Sequence, residues 1–333
     1  MPSFDTARLG ANHIFMDEKQ RDLEIEDETP VQRGGIIPDT ILPAFSLRMH
    51  PDCPIPVVIA APHGGRTYPN ALLETMRDPA YSVIRLEDRY IDRIATEISR
   101  QTGAGLLVAH APRAMIDLNR ASDDVDWEMI RGGRQAEERR SSTNRRSRTG
   151  LGLVPRRLSR LGEIWKEQIS REQLAARIGG IHRPYHQALA KALETVRDRW
   201  GAALLIDLHS MPPLKAKHEG DRPAEIVIGD RFGASSDGLL IASAFAYLAR
   251  QERATAHNRP YAGGYVLDRH AAPARGIHAI QVEVCRSTYL DPRMEEPSAR
   301  MAAVVRLIAG LVRELGGATA GLGRAGAMPI AAE

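Results

Sequence analysis

Val57-Val58-Ile59-Ala60-Ala61-Pro62-His63-Gly64-Gly65 is a run of five apolar residues that stops at a histidine and two glycines. A second stretch, Ala203-Leu204-Leu205-Ile206-Asp207-Leu208-His209-Ser210, has the same plan. Apolar runs without polar alternation mark parallel strands covered on both faces. Each run therefore reads as a buried strand with a histidine at its carboxyl end. Open α/β sheets bind ligands outside that end, so the two imidazoles are expected to converge on one point.

Working outward, Leu86, Tyr90, Ile91, Ile94 and Ile98 recur at three- and four-residue spacing. This predicts a helix over 84–101, after a shorter one over 70–77. Gly103 and Gly105 break the pattern, and Leu106-Leu107-Val108-Ala109 reads as the next strand. A helix is predicted over 170–199, interrupted near Gly179-Gly180, followed by strands at 203–208 and 225–230. A helix over 236–252, a turn-rich loop at 261–265, a strand at 279–284 and a helix over 296–315 complete the series. Strands alternating with helices predict an α/β sandwich with a mostly parallel sheet. Residues 1–44 read as an N-terminal arm with an edge strand, 45–315 as a single α/β domain, and 316–333 as a Gly/Ala-rich flexible tail.

The 333 residues are 43% hydrophobic and 26% charged, enough apolar material for a large core, and the formal net charge is only +3. No 18-residue apolar stretch exists, so no membrane span is expected. The N-terminus lacks the basic and apolar segments of a signal peptide. Two cysteines, Cys53 and Cys285, make neither a disulfide framework nor a thiolate metal site. A reducing, cytoplasmic setting is expected. Arginine outnumbers lysine 40 to 5, with ten arginines against two glutamates in 131–160. That segment lacks the interleaved aromatics that stack on bases. It reads as a mobile loop, with a nucleic-acid-binding protein as the non-enzymatic alternative.

A catalytic zinc takes three protein ligands and keeps one position open. His63 and His209 supply two nitrogens. The third ligand is expected to be a nearby carboxylate: Asp88, placed with Asp92 on one face of the 84–101 helix, with Glu87 as the alternative. Glu283 lies inside the apolar run Gln281-Val282-Glu283-Val284, where an unpaired charge is costly. It is the expected general base, unless it forms a buried ion pair with Arg286 or another arginine. Arg113 and Arg120 flank Asp117-Leu118-Asn119. A fixed guanidinium can stabilise an oxyanion or clamp a carboxylate, and Asn119 can add a hydrogen bond. Asp117 is expected to orient Arg120 or a backbone turn. Tyr261, Gly263 and Gly264 can form a substrate-covering loop. Tyr185-His186 lies within a helix, and His182, His218, His257 and His278 have no marking spacing.

Taken in order, Pro62-His63-Gly64-Gly65, Glu87-Asp88, Arg113, Asp117-Leu118-Asn119-Arg120, Tyr185-His186, Asp207-Leu208-His209-Ser210, Pro260-Tyr261-Ala262-Gly263-Gly264 and Gln281-Val282-Glu283 resemble the N-formylglutamate amidohydrolase family. The resemblance spans about 54–295. That family is distantly similar to the zinc carboxypeptidases and aspartoacylases. The resemblance implies a phosphorylase/hydrolase-like three-layer sandwich with a mostly parallel mixed sheet and a single zinc. It also implies that His63 and His209 bind the metal and that Glu283 is the catalytic Glu. Arg120 with Asn119 would hold a substrate carboxylate, and Arg113 would polarise the scissile carbonyl. One departure stands out. Those relatives carry a ligand Glu three residues after the first His, and this chain has Arg66 there. A guanidinium cannot bind zinc, so Asp88 remains the expected third ligand. The function expected is cleavage of the acyl–nitrogen bond of a small anionic N-acyl amino acid, N-formyl-L-glutamate foremost. A carboxypeptidase-like or other deacylase is the alternative.

Overall fold

The computed structural model describes residues 29–133, 146–216, 218 and 220–327. The main sheet has eight strands: β1 (Val31–Gly34), β2 (Phe45–Arg48), β3 (Val57–Ala61), β4 (Gly105–Ala109), β7 (Ala203–Met211), β8 (Ile226–Gly229), β9 (Thr255–His257) and β10 (Ile277–Cys285). β5 (Arg157–Leu158) and β6 (Gly162–Glu163) form a separate two-stranded hairpin. The order across the sheet is β1-β2-β4-β3-β7-β10-β8-β9. The central pairings β4/β3, β3/β7 and β7/β10 are parallel, as is β8/β9, while β1/β2, β2/β4 and β10/β8 are antiparallel.

The helices are α1 (Asn70–Glu74), α2 (Pro79–Leu86), α3 (Ile91–Thr102), α4 (Arg171–Arg177), α5 (Arg183–Trp200), α6 (Gly238–Arg250), α7 (Tyr265–His270) and α8 (Met301–Ala327). They lie on both faces of the sheet. Along β3, Val58 and Ala60 enter one core with Leu189, Leu193 and Val196 of α5. Val57, Ile59 and Ala61 enter the other, with α3, α6 and α8. This two-sided burial is why the strand is apolar at every position. The protein is thus a three-layer α/β sandwich with a mixed, mostly parallel sheet.

Three local expectations need correction. The helix predicted over 84–101 is broken: Glu87 is extended and Tyr90 takes a left-handed φ of 59° before α3 starts. Asp88 therefore lies in the break, not on a helix face shared with Asp92. There its N–H donates to the His63 carbonyl at 3.0 Å. The strand at 203–208 runs on to Met211, so His209 sits within β7 rather than after it. The expected flexible tail is helical as far as Ala327, because α8 continues through its glycines. A Cβ on Gly323 would lie 2.1 Å from the Trp200 carbonyl oxygen, so this helix approaches the end of α5 through glycine. Of the Arg-rich segment 131–160, residues 134–145 fall outside the described residues. Among the described residues, no helix is long and apolar enough to cross a membrane.

Candidate metal centre and active site

The side chains of Asp207 and His209 share one face of β7, because strand residues two apart point the same way. Their parallel neighbours on β10 are Gln281 and Glu283 in register. All four are buried. His63 enters from the loop after β3, and Asp88 from the break between α2 and α3.

His63, Asp88 and His209 bring ligand atoms within 4.8 Å of one another. Asp88 Oδ2 is 3.0 Å from His209 Nδ1 and 3.6 Å from His63 Nδ1. Tetrahedral zinc with bonds of about 2.0–2.1 Å separates its ligand atoms by about 3.3 Å, and these two spacings bracket that value. The opposite ring nitrogens also have carboxylate neighbours: His63 Nε2 lies 2.7 Å from Asp117 Oδ1, and His209 Nε2 lies 3.0 Å from Asp207 Oδ2. The hydrogen bond to Asp117 fixes the His63 tautomer and turns its Nδ1 toward Asp88, while Asp207 stands beside His209 Nε2 at ion-pair distance. Two imidazoles and one carboxylate suit a borderline cation such as zinc, so the donor set fits the metal that the sequence implies.

Arg286 orients the Asp88 carboxylate. It donates to Asp88 Oδ1 at 3.1 Å, to the Glu87 carbonyl at 2.6 Å and to Ser210 Oγ at 3.0 Å. This leaves Asp88 Oδ2 toward the histidines. Arg286 is therefore the partner of Asp88 and not of Glu283. Glu87 is also buried, but its Oε2 accepts from Arg89 at 3.0 Å, so the geometry favours Asp88 over Glu87. Burial pushes the Glu87 carboxyl up to about 7 despite Arg89 and Arg66 nearby.

Electrostatics at the centre are strong. Burial disfavours charge on Asp88, yet hydrogen bonds from His209 and His63 hold its carboxyl well below the usual range. Burial opposes a proton on His209, but Asp207 and Asp88 outweigh it and raise that imidazole well above its ordinary value. Glu283 is pushed up to about 7, first by burial and then by the Asp88 and Asp207 charges, against His209 and Arg113.

Asp117 orients Arg113 and His63 rather than Arg120. Arg113 Nε donates to Asp117 Oδ2 at 2.9 Å, and the Asn119 N–H donates to Oδ1 at 2.8 Å. Arg120 donates through Nε to the Leu151 carbonyl at 3.0 Å and through Nη1 to the Asn119 carbonyl at 2.8 Å. Three buried histidines hold the same loop. His182 Nε2 meets the Arg120 carbonyl at 2.8 Å, and His186 Nε2 meets the Leu118 carbonyl at 3.0 Å. A carbonyl only accepts, so the His186 proton is assigned to Nε2. Nδ1 then accepts from His270 Nε2 at 2.9 Å. Burial lowers all three imidazoles, His270 to about 3, so they act as neutral donors and acceptors.

The 261–264 segment closes another side. Tyr261 is partly buried, within range of the Glu283 charge. Gly263 takes a φ of +100°. A Cβ on Gly264 would lie 2.5 Å from Asn119 Oδ1. Only glycine lets the backbone come so close, which allows the Val266 N–H to reach Asn119 Oδ1 at 2.9 Å.

The sequence reading assigns no role to Asp207 and Gln281. Asp117 does hold the expected backbone turn, through the Asn119 N–H, but braces the Arg113 side chain rather than that of Arg120, and Arg286 pairs with Asp88 rather than Glu283. The rule applied to Glu283, that a polar group inside an apolar strand needs a partner, would have singled out Asp207 and Gln281 too.

The N-formylglutamate amidohydrolase family model matches residues 55–290. The chain belongs to this family. A curated N-formylglutamate deformylase of Pseudomonas aeruginosa is 27% identical over 265 residues, 78% of this chain and 91% of the relative. One of Pseudomonas putida is 28% identical over 242 residues, 71% of this chain and 82% of the relative. Among solved structures, an N-formylglutamate amidohydrolase from Ralstonia eutropha superposes with a TM-score of 0.73 at 27% identity, covering 85% of this chain and 99% of that one. A gene product of Agrobacterium tumefaciens shares the fold at a TM-score of 0.61 and 16% identity, covering 83% of this chain and 94% of its own.

Proposed function

We propose that this protein is a zinc-dependent amidohydrolase that releases formate from N-formyl-L-glutamate. The carrying observation is the His63–Asp88–His209 donor set, with a carboxylate behind each imidazole. Its membership of the family and its deformylase relatives support the choice of substrate.

His63, Asp88 and His209 would hold the zinc. When bound there, the metal supplies Lewis acidity, which polarises a carbonyl oxygen and makes a water more acidic. Glu283 takes a proton from the attacking water and delivers it to the amide nitrogen as the C–N bond breaks, leaving formate and the free amine. In the metal-free protein burial raises this carboxyl to about 7, which suits a group that must both take up and give up a proton. Arg113, braced by Asp117, stabilises negative charge developing on the carbonyl oxygen. Arg120 and Asn119 anchor the substrate carboxylate, and Tyr261, Gly263 and Gly264 cover it. The unpaired, buried cysteines fit a reducing cytoplasm.

Metal analysis of the purified protein, followed by a screen of N-acyl amino acids for amine release with and without zinc, tests this reading. Zinc-dependent turnover with N-formyl-L-glutamate as the preferred substrate is the expected result. Preference for longer acyl groups or peptides would replace it with a broader deacylase or a carboxypeptidase-like activity.

A further inference from the structure

Gln281 is buried on β10, two residues before Glu283 and on the same face. Its Nε2 lies 3.0 Å from Glu283 Oε1, and its Oε1 lies 3.4 Å from Asn119 Nδ2. Asn119 Oδ1 in turn accepts from the Val266 N–H at 2.9 Å. The direction of this chain is set at one end by a backbone N–H, which can only donate. Asn119 must therefore present its oxygen to Val266 and its nitrogen to Gln281. Gln281 must accept from Asn119 and donate to Glu283.

We propose that Gln281 is a positioning residue that reserves Oε1 of Glu283 as a hydrogen-bond acceptor, and so makes Oε2 the oxygen that carries the shuttled proton. The proposal rests on Glu283 being the general base. In the first half of the reaction, a water O–H bond breaks and its electron pair stays with the oxygen that attacks the acyl carbon. The proton forms a bond to Oε2. In the second half that O–H bond breaks, and the proton goes to the amide nitrogen as the C–N pair leaves with it. A proton on Oε1 would set two donors against each other, because the amide nitrogen of Gln281 has no lone pair to offer. The same chain ties the base to Asn119 and to the backbone after Gly264, so the substrate-side loop helps aim the carboxylate.

Two measurements test this. In the zinc-loaded enzyme, Gln281→Met keeps the length of the side chain and removes the donor. kcat should fall by about 10–100-fold, the worth of one hydrogen bond to a charged group, with KM nearly unchanged. Gln281→Glu donates only when the new carboxyl is protonated, so its kcat relative to wild type should fall as pH rises. Unchanged kcat in Gln281→Met, or a Gln281→Glu ratio independent of pH, would overturn the proposal. The second measurement needs neither turnover nor zinc. The Gln281 side-chain amide signal in NMR, assigned by its loss in Gln281→Met, should move upfield in Glu283→Ala. An unmoved signal overturns the contact. A wild-type protein that hydrolyses no N-acyl amino acid, yet shows the shift, counts against the deformylase reading alone.

Discussion

Asp207 and His209, two positions apart on β7, meet through Oδ2 and Nε2 at 3.0 Å. The strand's own alternation creates this contact, since both side chains emerge on one face. Asp207→Asn should keep the fold but lower zinc affinity by about 10–100-fold, because the carboxylate behind an imidazole ligand sets its tautomer and basicity. Competition with a chromogenic chelator measures this. Unchanged affinity would show that Asp207 does not support the ligand.

The same contact predicts the pH dependence of metal uptake. In the metal-free protein, the His209 imidazole is raised well above its ordinary value. A raised imidazole stabilises the fold fully below its unfolded value and loses that contribution as pH rises through the folded value. Zinc needs the deprotonated ring, so loading must displace that proton. Apparent zinc affinity should therefore climb with pH beyond the range of an ordinary histidine, with proton release visible by calorimetry in buffers of different ionisation heat. A flat profile above neutrality would contradict it.

Glu283→Gln should retain zinc yet lose turnover by about 100-fold or more, the contribution expected of a positioned acid–base group. Burial raises Glu283 above the ordinary carboxylate range in the metal-free protein, and a base must be ionised to act. kcat/KM should therefore fall on the acid side of neutrality. Near-normal turnover in a metal-replete variant would remove Glu283 from the mechanism.

The two arginines should separate in kinetics. Arg120→Lys should mainly raise KM, because a point charge does not reproduce a guanidinium fork against a carboxylate. It also loses the fixed orientation given by the Leu151 and Asn119 carbonyls. Arg113→Lys should mainly lower kcat, since its contact matters as charge develops. Equal cleavage of an uncharged amide analogue would show that Arg120 anchors no carboxylate.

Much of this centre was legible in the sequence. His63 and His209 stood at the ends of apolar runs, and Glu283 was a charge inside one. These signals are local, so they survive without a structure. Asp88 was legible as a residue but not as a position. Leu86, Tyr90 and Ile91 continue a helical period through it, while the tertiary bond from the Asp88 N–H to the His63 carbonyl peels the chain out of the helix. The helical tail was hidden for a related reason. Its glycines read as flexibility, but Gly323 is needed for close approach to Trp200. Arg113 and the Asn119 N–H are sequence neighbours of Asp117 and lay within reach of a spacing argument, whereas its contact with His63 and that of Arg286 with Asp88 depend on distant parts of the chain meeting, and no spacing records that.

The pairing of β7 with β10 runs unbroken over nine positions, and it places His209 and Glu283 on adjacent rungs of one ladder. Adjacent strands stand about 4.8 Å apart whatever their side chains, so the gap between the proposed ligand His209 and the proposed base Glu283 is set by the backbone. The surrounding loops can then lengthen, shorten or exchange residues without changing the spacing of that pair. A change of diet is open to such a scaffold through loop variation alone, while a single-residue slip of either strand would silence it for every substrate.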